Sequence, residues 1–137
     1  MKKNILVLCT GNSCRSQMAH GYLHHFFSDD MNVYSAGIET HGVNPRAIAI
    51  MKEDSIDISN HTSNNVNEYL DIPFDIILTV CDHAAENCPY IPGKAIRIHH
   101  SFSDPSKLIG TEGEIHAAFE KTRNEIKDYC KNLKEKI

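Results

Sequence analysis

The run Cys9-Thr10-Gly11-Asn12-Ser13-Cys14-Arg15-Ser16 sets a cysteine and an arginine around residues dominated by small or polar side chains. A loop this short closes in few ways. One of them curls its backbone N–H groups inward into a nest for a tetrahedral oxyanion. A helix starting after the loop would add its positive N-terminal end to the same spot, and Arg15 would grip the anion with a planar fork of donors. Cys9 then lies beneath the anion as a thiolate nucleophile. Its pKa is expected well below the unperturbed value of ~8.5, because the nest, the helix end and the arginine all favour the charged sulfur. The oxyanion-binding set is therefore Thr10, Gly11, Asn12, Ser13, Cys14, Arg15 and Ser16, with the Cys14 side chain packing inward. A buried strand-end cysteine and an unrelated surface arginine would not explain the spacing, Gly11 and Ser16 together.

A second cluster lies in Cys81-Asp82-His83-Ala84-Ala85-Glu86-Asn87-Cys88-Pro89. As a zinc site it is poor, with only His83 nearby and an unfamiliar ligand spacing. Its polarity points to an exposed segment. A helix would hold the two cysteines roughly 10 Å apart along its axis, whereas a disulfide needs Cα atoms about 4.4–6.8 Å apart. The segment must loop back or partly unwind to close, as a redox switch would. Electron counting gives the pair its meaning. Hydrolysis of a phosphoester needs one cysteine, because water clears the covalent intermediate. Reduction of a pentavalent oxyanion needs two electrons, supplied as two thiols become one disulfide. A third cysteine lets that disulfide move out of the anion loop. Asp104-Pro105 offers an acid for a departing oxygen, although Ser-Asp-Pro is equally ordinary turn chemistry. Cys130 falls in an apolar stripe, and the histidines at 24, 25, 99 and 100 read as surface or strand-end residues.

These groups need a scaffold that brings distant residues to one rim. Residues 4–9 are nearly all apolar, as in a strand covered on both faces. From Arg15 to about Phe27, Met18, Ala19, Tyr22, Leu23 and Phe26 recur at helical spacing. Asn32 to Ser35 reads as a second strand ended by Gly37. Asn44-Pro45 opens a helix to about Asp54, and 66–71 suggests another short one. Phe74 to Val80 is a buried strand with Cys81 at its end, and Ala95 to Ile98 a fourth strand. Ile115, Ala118, Phe119, Ile126, Tyr129, Cys130 and Leu133 stripe a long final helix. The alternation implies one α/β domain over 1–137, a three-layer arrangement with a four-stranded parallel sheet of order 2-1-3-4. Ligands of such sheets bind beyond the carboxyl ends of the strands, where Cys9, Cys81 and the loop around Asp104 all fall.

The composition fits this reading. Hydrophobic residues make up 41% and charged residues 23% of the 137, ordinary values for a globular domain. A formal charge of −4 argues against nucleic acid or an anionic membrane as the main partner. The apolar run after Met1-Lys2-Lys3 is too short for a signal peptide, and no segment has the apolar length of a membrane span. An odd set of five unevenly spaced cysteines is not a structural disulfide framework. The expected address is the cytoplasm.

The residues that carry the chemistry resemble the thioredoxin-coupled arsenate reductases, which share the fold of the low-molecular-weight tyrosine phosphatases. The likeness covers residues 9–19, Tyr34 to Pro45, Asp57 to Ser63, the segment from Cys81 to Cys88, and Asp104-Pro105. It implies arsenate as substrate and thioredoxin as reductant, with no cofactor and a monomeric enzyme. It implies that Cys9 attacks arsenic while Asp104 helps an oxygen leave, that Cys81 then attacks Cys9 and releases arsenite, and that Cys88 attacks Cys81. The resulting Cys81–Cys88 disulfide is what thioredoxin would reduce. Some members hold potassium through an asparagine, a serine and two carboxylates. Asn12 and Ser35 match, but His20 and Asn64 stand at the carboxylate positions, so no tight metal site is expected. The alternative is a phosphatase using Cys9, Arg15 and Asp104 alone, though Ser106 stands where tyrosine phosphatases usually carry an aromatic residue. A more distant one is a non-catalytic sensor that oxidises once without turnover.

Overall fold

A computed structural model describes residues 2–87, 91 and 93–136, so Cys88 lies outside the described residues. Four parallel strands form one sheet in the order β2-β1-β3-β4. They are β1 (Lys3–Cys9), β2 (Met31–Gly37), β3 (Ile76–Thr79) and β4 (Ile96–His99). Ile5, Leu6, Val7 and Leu8 of β1 are fully buried, as a central strand covered on both faces requires. β4 is an edge, and its outward residues remain exposed.

The helices are α1 (Arg15–Phe27), α2 (Pro45–Lys52), α3 (Asp82–Asn87) and α4 (Glu112–Lys131). The crossover from β1 through α1 to β2 runs in one direction, and that from β3 through α3 to β4 in the other. Right-handedness then puts α1 and α3 on opposite faces, which gives three layers. α1 packs on α4, and α2 on α4 as well. Asn44 caps α2 by accepting from the Arg46 N–H, with Pro45 in the first turn. Thr111 and Glu114 form a reciprocal capping box on α4.

Local corrections to the sequence reading are small. Residues 66–71 hold only a 3-10 turn, Val66–Tyr69, fixed by an Asn65–Glu68 capping box. α2 stops at Lys52 rather than at Asp54. The final stripe outlasts its helix, and Leu133 is buried from a separate 3-10 turn, Leu133–Lys136. No helix among the described residues is long and apolar enough to cross a membrane.

Candidate active site

β1 delivers Cys9 to the carboxyl end of the sheet, and the chain must turn at once into α1. What shapes this turn is the destination of its carbonyls. Cys9 O accepts from Ile38 N, Thr10 O from Glu39 N, Gly11 O from His41 N, and Ser13 O from Asn44 N, at 2.9–3.2 Å. Asn12 O accepts from Gln17 Nε2 at 3.0 Å. Every one of these carbonyls is drawn outward. In a planar trans peptide the following N–H points the opposite way, so the N–H groups of Thr10, Gly11, Asn12, Ser13 and Cys14 face inward. That is the nest the sequence implied.

The turn requires a left-handed residue, and Asn12 supplies it with φ +47°. Its side chain is wholly buried and points away from the nest. Nδ2 donates to Ser16 Oγ at 2.9 Å, and Oδ1 accepts from Asn64 N at 2.8 Å. Asn12 and Ser16 therefore hold the loop's shape with their side chains rather than lining the cavity. Gln17, which the motif did not single out, joins the loop to a second segment by donating also to Thr62 O at 3.0 Å. Ser63 Oγ donates to Gly11 O. Gly37, at the end of β2, must be glycine: a Cβ there would meet Glu39 O at 2.3 Å and Asn12 N at 2.7 Å, both backbone.

A cavity of about 350 Å³ opens above the loop, lined by Cys9, the loop, Arg15, His41 and Asp104. Arg15 Nη1 donates to Phe102 O at 3.0 Å and Nη2 faces Asp104 Oδ2 at 3.5 Å. Its buried Nε has no partner among the described residues. A buried donor without an acceptor is costly, and an oxyanion seated in the nest would supply the acceptor. Asp104 is fixed through its other oxygen, which accepts from Ser106 N at 3.0 Å and Ser106 Oγ at 2.6 Å.

Cys81 corrects two expectations. The segment it begins is exposed along most of α3, but Cys81 itself is buried against the anion loop. Its Sγ lies 3.3 Å from Thr10 Oγ1, receives the Ala84 N–H at 3.4 Å, and neighbours the Cys9 thiol. The depressed thiol is Cys81, lowered to about 5, first by the hydrogen bond from Cys9 and then by Thr10, Ala84 and Arg15. Cys9 is raised instead, by that same bond and by burial, against the opposing pull of Arg15. Three donors converge on Cys81, so the single negative charge of the pair rests there in preference to Cys9. Burial pushes the Cys14 thiol up to about 12, assisted by Asp104, and Cys130 likewise to about 12. Both are inert as thiolates at neutral pH.

The potential ion-binding residues are engaged with one another. Ser35 Oγ pairs with His20 Nδ1 at 2.8 Å, and Asn64 Oδ1 accepts from Thr62 Oγ1 at 2.7 Å. Burial, with His61 alongside, pushes His20 down to about 3 and keeps it neutral. A neutral, internally paired donor set does not fit a hard cation.

Residues 4–137 match the family of low molecular weight phosphotyrosine protein phosphatases. An arsenate reductase of Halalkalibacterium halodurans is 48% identical over 134 residues, covering 98% of this chain and 96% of its own length. One from Staphylococcus aureus is 47% identical over 133 residues, covering 97% of each. Among solved structures, an arsenate reductase in the phosphate binding state aligns with a TM-score of 0.79 at 31% identity, covering 98% of both chains.

Proposed function

The chain belongs to the low molecular weight phosphotyrosine protein phosphatase family, and from that membership and its arsenate reductase relatives we propose that it reduces arsenate to arsenite with three thiols, Cys9, Cys81 and Cys88. The observation that carries reduction over hydrolysis is the buried Cys81 sulfur, set beside Cys9 beneath the anion loop. A phosphatase has no use for a second thiol there.

Arsenate enters the nest and takes the inward N–H groups and the unpaired Nε of Arg15. Cys9 gives its proton to an oxygen of the bound arsenate and attacks arsenic as the thiolate, while Cys81 keeps its own charge. One oxygen departs as water, with Asp104 as the acid that protonates it. Cys81 then attacks the Cys9 sulfur. The sulfur–arsenic bond breaks with its electron pair left on arsenic, giving arsenite and a Cys9–Cys81 disulfide. Cys88 attacks Cys81 and frees Cys9. Because α3 occupies the residues between Cys81 and Cys88, this exchange requires it to unwind. Thioredoxin reduces the Cys81–Cys88 disulfide. The enzyme works as a monomeric single domain in the cytoplasm, a compartment that keeps its other thiols reduced.

The test is NADPH consumption with thioredoxin, its reductase and arsenate. Turnover is expected in the native chain and its loss in Cys9→Ser, Cys81→Ser and Cys88→Ser. Undiminished turnover in either of the last two would leave only the phosphatase reading.

A further inference from the structure

His99, at the end of β4, touches the chain on both sides of Cys81. Its Nδ1 lies 2.7 Å from Thr79 Oγ1, two residues before the cysteine. Its Nε2 lies 2.8 Å from Asp82 Oδ1, one residue after it. An ionised carboxylate only accepts, so Nε2 donates to Asp82, while Nδ1 and the Thr79 hydroxyl exchange a hydrogen bond. The two contacts differ in footing. Thr79 and His99 are register partners in the sheet, and Val80 is still held by the backbone, giving its N–H to Leu8 O and accepting from Phe102 N. The sheet ends there. Asp82 is the first residue of α3, and His99 is its tie to β4. Cys81 is thus the hinge between a fixed strand end and a short helix, with one imidazole spanning it.

We propose that His99 is a positioning residue for the reduction: by joining Thr79 to Asp82 it aims the Cys81 sulfur at Cys9, and it matters to the disulfide-forming step alone. This rests on the thiol relay described above. In that step the Cys81 thiolate attacks the Cys9 sulfur, the sulfur–arsenic bond breaks, arsenic keeps the electron pair, and two thiol sulfurs become one disulfide. The attacking sulfur must approach opposite the departing arsenic, so the rate depends on where Cys81 is held. Oxyanion binding and the attack of Cys9 on arsenic use the nest, Arg15 and Asp104, none of which His99 contacts in the bonds above.

The experiment uses the full chain carrying Cys88→Ser, in which the Cys9–Cys81 disulfide is the end product of a single turnover with arsenate. Rapid quenching, alkylation and mass spectrometry read its rate of formation. Adding His99→Ala is expected to slow formation about fivefold, the worth of one hydrogen bond to a carboxylate at an exposed site. His99→Gln, whose amide nitrogen can still reach Asp82, is expected to recover part of that loss. In the otherwise native chain, His99→Ala should leave the inhibition constant of inorganic phosphate and any hydrolysis of p-nitrophenyl phosphate unchanged. Equal rates of disulfide formation with and without His99→Ala would overturn the positioning role. So would an equal loss of p-nitrophenyl phosphate hydrolysis, which marks general damage. If Cys88→Ser alone forms no Cys9–Cys81 disulfide, the relay itself fails, and the role of His99 falls with it.

Discussion

The anion loop and the segment that begins at Cys81 face each other across the site, yet they are built in opposite ways. In the loop every carbonyl from Cys9 to Ser13 is held by a partner from elsewhere in the chain, and the side chains of Asn12, Ser16 and Gln17 are fully buried. In α3 only Ala84 is buried, and a helix of six residues has no independent stability. Its tie to β4 is the His99–Asp82 hydrogen bond, whose side chains are 40% and 73% exposed. The difference suits the chemistry proposed for each. Oxyanion recognition works through donors fixed before the ligand arrives. Disulfide transfer needs a sulfur that can leave its first partner for a second, and mobile elements come from the low-stability end of a fold.

The largest break in that contrast should come from the rigid half. Arg15→Lys keeps a positive charge but loses the fork that reaches Phe102 O and the cavity together. Its kcat/KM for arsenate should fall by about 10²–10³-fold in the thioredoxin-coupled assay, the scale of a lost transition-state donor. A fall of less than tenfold would mean that the nest amides suffice without the guanidinium. Gln17→Ala attacks the loop's foundation. It strands the carbonyls of Asn12 and Thr62 and removes the Oε1 contact to His61 Nδ1 at 2.9 Å. Unfolding in urea should show a loss of about 2–3 kcal/mol.

How far the two halves could be read in advance differs for the same physical reason. Strand order, the cap at Asn44 and the inward nest follow from local pattern, because apolar periodicity, Asn-Pro and the spacing from Cys9 to Arg15 act over a few residues. The Cys9 pKa runs against the expectation from its loop because it depends on a sulfur 72 positions away, brought alongside by the pairing of β1 with β3. The burial of Cys81 is hidden for the same reason, in a segment whose neighbours are polar. Gly37 carries no signal of its role, since its clash is with backbone that the fold brings close, at Glu39 and in the anion loop. Gln17 does carry one: a polar residue beside Met18 and Ala19 on the buried side of α1 needs partners. His99 reads as a plain strand-end residue until Asp82 is placed beside it.

Acid should separate the halves as well. The half-buried His20 has its pKa lowered from 6.5 to about 3. The unfolded chain takes up that proton below about 6.5, and the folded chain only near 3, so the unfolded state binds more protons throughout the interval. Stability from this site is therefore complete above about pH 6.5 and drains away as the pH falls towards about 3. Urea midpoints measured from pH 7 down to pH 4 should decline, and more gently in His20→Asn, which cannot take up the proton. Parallel declines would place the acid sensitivity elsewhere.

The smallest effect tests the mobile half. Ala85 is exposed in α3, so Ala85→Gly removes no buried contact and acts on helix propensity alone, at about 1 kcal/mol. If α3 opens separately from the core, that cost belongs to its own opening. Hydrogen exchange of the α3 amides should then quicken about fivefold while the urea midpoint of the whole chain barely moves. The same change should leave oxyanion binding untouched, because nothing in the loop leans on Ala85. Should the global stability drop by the full amount instead, α3 unfolds only with the sheet. A segment so coupled could not release Cys81 without dismantling the loop it serves.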